Sequence, residues 1–215
     1  MSLQLYSHPL SSFCQKVLVA LYENGTPFEA RMVDFADAES NAALKSIWPV
    51  GKIPVLRDEA RGRTVPESTI IIEYIEQHYP GKTQLLPSNP DLAGAVRLAD
   101  RFYDLYVNAP MQKIVGDRLR PAASKDPHGV AEARSLLLVA YGMIERKLST
   151  STWAAGGDFS VADCAAAPAL LYANMVQPFG ETHMHAAAYL RRLKERPSFA
   201  RVVLEAEPYL NLVPK

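Results

Sequence analysis

Apolar positions along the first eighty residues change period several times. Leu3 and Leu5 alternate with Gln4 and Tyr6, the period of two expected of a short strand. Ser7–His8–Pro9–Leu10–Ser11–Ser12 is a polar loop with a proline and a candidate N-cap. Phe13, Val17 and Leu21 then recur at helical spacing, and Asn24–Gly25 closes that helix. Phe28 to Val33 reads as a second strand and Asn41 to Ile47 as a weak helix. Pro54–Val55–Leu56 and Thr64–Val65 read as short strands around a charged turn. Ser68 to Tyr79 is a helix with Ile71, Tyr74, Ile75 and His78 on one face, ended by Pro80–Gly81. The predicted order is βαβ, helix, ββα.

Residues 81–90 gather Gly81, Pro87, Ser88, Asn89 and Pro90 and predict a linker. Beyond it the signal is helical. Leu92, Ala95, Val96, Ala99, Phe102, Tyr103 and Tyr106 form one stripe at three-four spacing. Val130, Ala133, Leu137, Ala140, Ile144 and Leu148 form another. Pro110 and Pro168 are expected to end or bend their helices. The pattern predicts an α/β domain over 1–80 and an all-helical domain over 91–215.

Composition narrows the function. The 215 residues carry 23 Lys plus Arg against 23 Asp plus Glu, so no global field favours nucleic acid or an anionic membrane. No apolar run approaches the ~20 residues that span a bilayer. Met1 to Tyr6 lacks the features of a signal peptide, which predicts a cytoplasmic protein. Cys14 and Cys164 lie 150 positions apart, which argues against a disulfide framework. Cys164, in an alanine-rich segment, reads as a small core residue. His183 and His185 point to different helix faces, so a metal site is not expected there.

Four segments carry candidate chemistry. Ser11–Ser12–Phe13–Cys14 has the spacing of a C-x-x-C redox motif with its first cysteine replaced by serine. It stands at a strand-to-helix junction, where free N–H groups and the helix dipole favour an anion such as a thiolate. A plain helix cap accounts for the same serines. In Gly51–Lys52–Ile53–Pro54–Val55–Leu56, a cis bond before Pro54 would turn the Ile53 backbone outward to pair with a peptide-like ligand. In Pro66–Glu67–Ser68, Ser68 is a candidate N-cap. Glu67 could meet an ammonium while Ser68 and the helix end meet a carboxylate, together holding the zwitterionic end of an amino acid. Ser160 and Asp163 have capping-box spacing, and a structural role is preferred for them.

Taken together in this order, these segments and the tail Arg196–Pro197–Ser198–Phe199–Ala200–Arg201 resemble the soluble glutathione transferases, most of all bacterial members with an active-site serine. The resemblance covers nearly all of the chain. It implies a thioredoxin-like first domain that binds glutathione and a helical second domain that holds an apolar electrophile. It also implies a detoxifying homodimer that needs no metal and acts on neither nucleic acid nor membrane. Ser11 would activate the thiol, with Ser12, Cys14 and Tyr6 as alternatives. Lys52, Ile53, Pro54, Glu67 and Ser68 would bind glutathione, Lys52 at the glycine end. Leu10, Phe102 and Tyr106 would line the co-substrate pocket. Within the same fold the reaction could instead be isomerisation of a maleyl-type diacid, dehalogenation, ether cleavage or peroxide reduction, and a non-catalytic ligand-binding role is a further alternative.

Overall fold

The computed structural model describes residues 2–214. Strands β1 (Leu3–Ser7), β2 (Glu29–Met32), β3 (Val55–Asp58) and β4 (Arg63–Pro66) form one sheet in the order β2-β1-β3-β4. β1 and β2 are parallel, β1 and β3 antiparallel, and β3 and β4 antiparallel. Helices α1 (Ser12–Asn24), α2 (Ala38–Ile47) and α3 (Ser68–His78) complete this half. Strand side chains alternate between the faces of the sheet. Leu3, Leu5, Leu56 and Val65 join the large core with α1 and α3. Tyr6, Val33 and Val55 join a smaller core with Leu44, Ile47 and Trp48 from α2 and its C-terminus. The four-stranded α/β half and its element order match the sequence expectation.

Local signals explain most of the boundaries. Ser11 is the N-cap of α1, its Oγ accepting the Cys14 N–H at 3.4 Å. Gly25, at φ 71°, takes the left-handed conformation that ends the helix. α2 starts three residues earlier than expected because Asp37 caps it, accepting from the N–H groups of Glu39 and Ser40. Ser68 is the first residue of α3 rather than its cap; Glu67 holds the cap position without a side-chain bond.

The second half contains α4 (Pro90–Phe102), a stretch of π register (Tyr103–Asn108), α5 (Ala109–Arg118), α6 (Pro127–Leu148), α7 (Val161–Val176), α8 (Met184–Glu195) and α9 (Pro197–Ala206). Pro110 does not end its helix. The chain widens into the π turn, Ala109 N–H donating to the Asp104 carbonyl, and continues as α5. Pro168 likewise sits inside α7 without ending it. The Ser160–Asp163 capping box forms as expected. Its buried carboxylate also accepts from Ala154 N–H and the Tyr189 hydroxyl, tying α7 to α8 and to the preceding loop. Residues 81–89 contain no helix or strand, yet the segment is pinned. Leu85 is fully buried, its N–H donates to Glu76 and its carbonyl accepts from Val161 N–H.

The two halves meet around α1. From Cys14 to Leu21 every residue is buried, because α1 packs against α3 and the sheet on one side and against α7 and α9 on the other. Lys16 is therefore buried as well. Its ammonium lies 2.6 Å from Asp100 of α4 and 2.8 Å from Asp104, and it donates to Thr69 Oγ1 at 2.8 Å. Thr69 donates in turn to Asp100, and Arg101 reaches Asp104 from the solvent side. Burial raises the Asp104 carboxyl, and the Lys16 charge pulls against that rise. At the far end of α1, the Glu23 carboxylate accepts from Nε and Nη2 of Arg196 at 2.6 and 2.7 Å.

Two outcomes follow from the burial of α1. Lys16→Met would leave two buried carboxylates without their cation and should cost about 3–5 kcal/mol. The shift of the guanidinium denaturation midpoint measures it, and a loss below about 1 kcal/mol would show that water reaches the cluster. Burial also pushes the Cys14 thiol up to about 12 and raises Cys164 well above the usual range. An aromatic disulfide reagent at pH 8 should therefore release chromophore from neither cysteine until denaturant is added; rapid release from the native protein would contradict the burial.

Candidate active site

The strand register brings three loops to one end of the sheet. Tyr6 pairs with Val55, and Val55 pairs with Pro66. The loop leaving β1, the segment entering β3 and the segment leaving β4 therefore converge. They carry Ser7 to Ser11, Lys52 to Pro54, and Glu67 with Ser68. The Ile53–Pro54 bond is cis. Glu67, at φ 70°, is the only non-glycine among the described residues with positive φ. An L-residue in that region is strained and persists where its surroundings over-determine it, a pattern concentrated at functional sites.

These loops enclose a cavity of about 220 Å³ lined by Phe13, Trp48, Lys52, Ile53, Pro54, Glu67 and Ser68. Five candidate site residues thus share one cavity. Ser68 is buried at the N-terminus of α3, whose unpaired N–H groups favour an anion. Lys52 and Glu67 are exposed and bring one charge of each sign to the rim. Such a cavity suits an extended ligand with backbone-like edges and charged ends. Phe13 and Trp48 were not expected here. Phe13 reads as core from its spacing with Val17 and Leu21, but it is only half-buried and forms a wall.

Ser11 and Leu10 lie outside this wall, two and three residues before Phe13, and both are half-buried. Their loop is held at several points. Ser11 N–H donates to the His8 carbonyl at 3.0 Å, and Leu10 N–H donates to His8 Nδ1 at 3.2 Å. The Gln15 amide donates to the Pro9 carbonyl at 2.7 Å and to the Tyr172 hydroxyl of α7 at 2.9 Å. As a cap, the Ser11 oxygen accepts from Cys14 N–H, which leaves its hydroxyl proton free to donate. The other candidates in this region are engaged elsewhere. Ser12 is buried, Cys14 is sealed in the core, and Tyr6 packs into the small core under α2.

Phe102 and Tyr106, expected with Leu10 at a co-substrate pocket, do not line this cavity. Asp104 faces Lys16 on α1, and residues two positions to either side point the opposite way around a helix. Phe102 and Tyr106 instead line an apolar groove of about 500 Å³ with Leu98, Met143, Ile144 and Ala154, between α4 and α6. Leu92 and Ala95 of the same predicted stripe are exposed. Size does not locate the site either. A groove of about 690 Å³ between β2, α1 and α9 contains none of the candidate site residues. His183 and His185 do not converge on a ligand: His183 Nδ1 bonds the Phe179 carbonyl, while the backbone N–H of His185 donates to Glu145. Among the described residues no group of three metal-ligating side chains occurs, and no helix is long and apolar enough to cross a membrane.

Comparison with known proteins places this geometry. The N-terminal domain model of the glutathione S-transferases matches residues 5–83, and the C-terminal domain model matches residues 102–197. A glutathione S-transferase of Pseudomonas putida is 29% identical over 95% of this chain and 93% of its own length. A glutathione S-transferase-like protein of Fusarium is 30% identical over 80% of this chain and 78% of its own. Among solved structures, a glutathione S-transferase of Methylobacterium radiotolerans in complex with glutathione sulfonate is 29% identical, with a TM-score of 0.80 over 94% of both chains. The chain, with its thioredoxin-like half, its helical half and a polar cavity where three loops meet, belongs to the glutathione S-transferase family.

Proposed function

We propose that the protein is a glutathione transferase of the serine type, in which Ser11 stabilises the glutathione thiolate for attack on an apolar electrophile. The observation that carries this reading is the convergence of Lys52, Ile53, Pro54, Glu67 and Ser68 on one small cavity at the end of the sheet where the Ser11 loop also lies. A tripeptide with a γ-glutamyl end fits its chemistry. Glu67 faces the ammonium, Ser68 and the α3 N-terminus receive the α-carboxylate, the Ile53 backbone pairs with the cysteinyl unit, and Lys52 meets the glycine carboxylate. The thiol then lies toward the start of α1.

Chemistry follows from placement. A free thiol ionises near about 8.5, so little of it is thiolate at neutral pH. Lowering that value by ~2 units takes roughly 2.7 kcal/mol of preference for the charged form. A hydroxyl donated by Ser11 and the positive end of the α1 dipole both act on the charged form alone. The serine is a hydrogen-bond donor and not a nucleophile. The thiolate forms the new bond to carbon and the leaving group departs with its electron pair. Leu10 borders the reacting sulfur, and the helical half supplies the rest of the co-substrate pocket.

Assembly and address belong to the same reading. Ile70 of α3 and Leu98 and Leu105 of the α4 side are all exposed, and Arg97 ties the two helices together through Glu73 at 2.7 Å. This face supports a two-fold homodimer. We take the boundary between the halves to fall in residues 81–90, and a cytoplasmic location fits two buried free cysteines.

Ser11→Ala should leave the glutathione KM within about threefold while raising the pKa of the bound thiol, read by ultraviolet thiolate titration. The rate at pH 6.5 should fall by about tenfold or more, with part of it returning at pH 9, where the thiol ionises unaided. Helix capping accounts for a separate loss of ~1 kcal/mol in stability, measured in the same variant by denaturation. An unchanged thiol pKa would remove Ser11 from the mechanism. Glu67→Ala should raise the glutathione KM by about tenfold or more, because it leaves the ligand ammonium unpaired; an unchanged KM would overturn the proposed orientation of the tripeptide.

A further inference from the structure

The loop between β1 and α1 is short, and one residue holds much of it. His8 accepts twice: its carbonyl from Ser11 N–H at 3.0 Å, and its ring Nδ1 from Leu10 N–H at 3.2 Å. Nδ1 can accept only when it carries no proton, so the geometry assigns the neutral ring with its hydrogen on Nε2. The ring is also clamped from outside, its centroid lying 5.6 Å from that of Tyr209 in an edge-on contact. Tyr209 belongs to a 3-10 helix (Glu207–Leu212) near the C-terminus, and its hydroxyl reaches Met32 Sδ of β2 at 3.5 Å. The terminal segment of the helical half therefore presses the imidazole into the loop that carries Ser11.

We propose that His8 is a positioning residue for catalysis, its neutral imidazole fixing the Leu10–Ser11 backbone so that the Ser11 hydroxyl meets the glutathione sulfur. The inference rests on the assignment of Ser11 as thiol activator. A sulfur–hydroxyl hydrogen bond weakens steeply as its geometry degrades, so a small loop displacement costs rate without disturbing the distant γ-glutamyl anchor. The structure also gives the device a pH dependence. A protonated Nδ1 would turn its own N–H toward the Leu10 N–H, exchanging an attraction for a repulsion between donors. Two groups face the ring from neighbouring elements: the Asp34 carboxylate in the loop after β2, which favours the proton, and the Tyr209 ring. Burial outweighs Asp34 and holds His8 below its ordinary 6.5, so the ring is neutral at pH 7 and the loop is set there. As pH falls through the His8 value, the loop is released.

Two substitutions separate this role from simple packing. In His8→Asn the side-chain oxygen replaces Nδ1 as acceptor and cannot titrate; in His8→Ala the acceptor is gone. His8→Ala should lower kcat at pH 7 by about fivefold to tenfold, the scale of one hydrogen bond, with the glutathione KM within about twofold of wild type. His8→Asn should restore most of that loss. The acid limb of log kcat/KM should steepen from a slope of one toward two in the wild type, as the thiol and then His8 take up protons. It should stay at one in His8→Asn. A two-slope limb surviving in His8→Asn, or a His8→Ala enzyme with wild-type kcat, would overturn the inference. If His8→Ala does not fold, the His8→Asn profile alone decides. An inert His8 series beside a defective Ser11→Ala would overturn the positioning role only. A Ser11→Ala enzyme with wild-type rate and thiol pKa would overturn the serine assignment and with it the atom that His8 is said to position.

Discussion

A lysine ammonium removed from water must be neutralised where it stands, and much of this structure follows from that requirement. Lys16 sits one turn into the helix that Ser11 caps, and the acids that neutralise it come from the other half of the chain. Each carboxylate left alone would be as costly as the lysine left alone. The three groups therefore fix the distance and rotation of α4 against α1 and exclude arrangements in which either slides by a residue. Thr69 joins the same cluster one position after Ser68, so the start of α3 is locked to the same reference point. The two helix N-termini assigned to the thiol and to the α-carboxylate thus share one buried anchor.

That arrangement separates strength from chemistry. The groups that hold the fold are buried and mutually satisfied: Lys16 with its acids, and Asp163 with its cap and Tyr189. Those assigned to the ligand are Lys52 and Glu67, both exposed, and Ser11, half-buried with a hydrogen still to give. Among the described residues neither Lys52 nor Glu67 forms an ion pair, so on this assignment a ligand would bind by pairing them. The frame of the site must then be held by something else, here the neighbouring cluster and the strand register.

The sequence was most legible where a feature is local. The order of strands and helices, the Ile53–Pro54 step, the Ser11 cap and the Ser160–Asp163 box each need only a few neighbouring residues, and each stands where it was expected. The helix start at Asp37 was missed because the apolar signal of α2 is thin and its cap precedes it by a residue. The place of Phe13 was not legible because helical spacing cannot tell a core from the wall of a cavity. The α4 side was hard to read for a more general reason. That helix has four neighbours: α1 holds Asp100 and Asp104, α3 holds Arg97 through Glu73, α7 holds the buried stripe, and α6 forms the groove with Phe102 and Tyr106. A single apolar face could not describe it, because Asp100 and Asp104, outside the apolar stripe, are buried against Lys16. The candidate site residues were legible as a set only through the order of four short local segments, which carries the family resemblance although no single segment does. The electrophile is not, because the walls that meet it are chosen by packing across the two halves.

The complete enclosure of α1 bears on how the chain is made. The helix is complete by residue 24, while α7, which covers its outer side, begins at residue 161. A ribosome delivers the amino-terminal half well before the cover exists, at a rate of about 5–20 residues per second. For some seconds or more Val17, Leu21 and their neighbours stand with one side bare, and a lysine destined for the interior is still in water. The nascent chain in that interval is sticky on one face and charged in the middle of it. A charge within an exposed apolar face opposes association, and Lys16 becomes an interior cation only once α4 supplies its acids. The residue that aligns the finished molecule is thus also the charge on the bare face of the unfinished one.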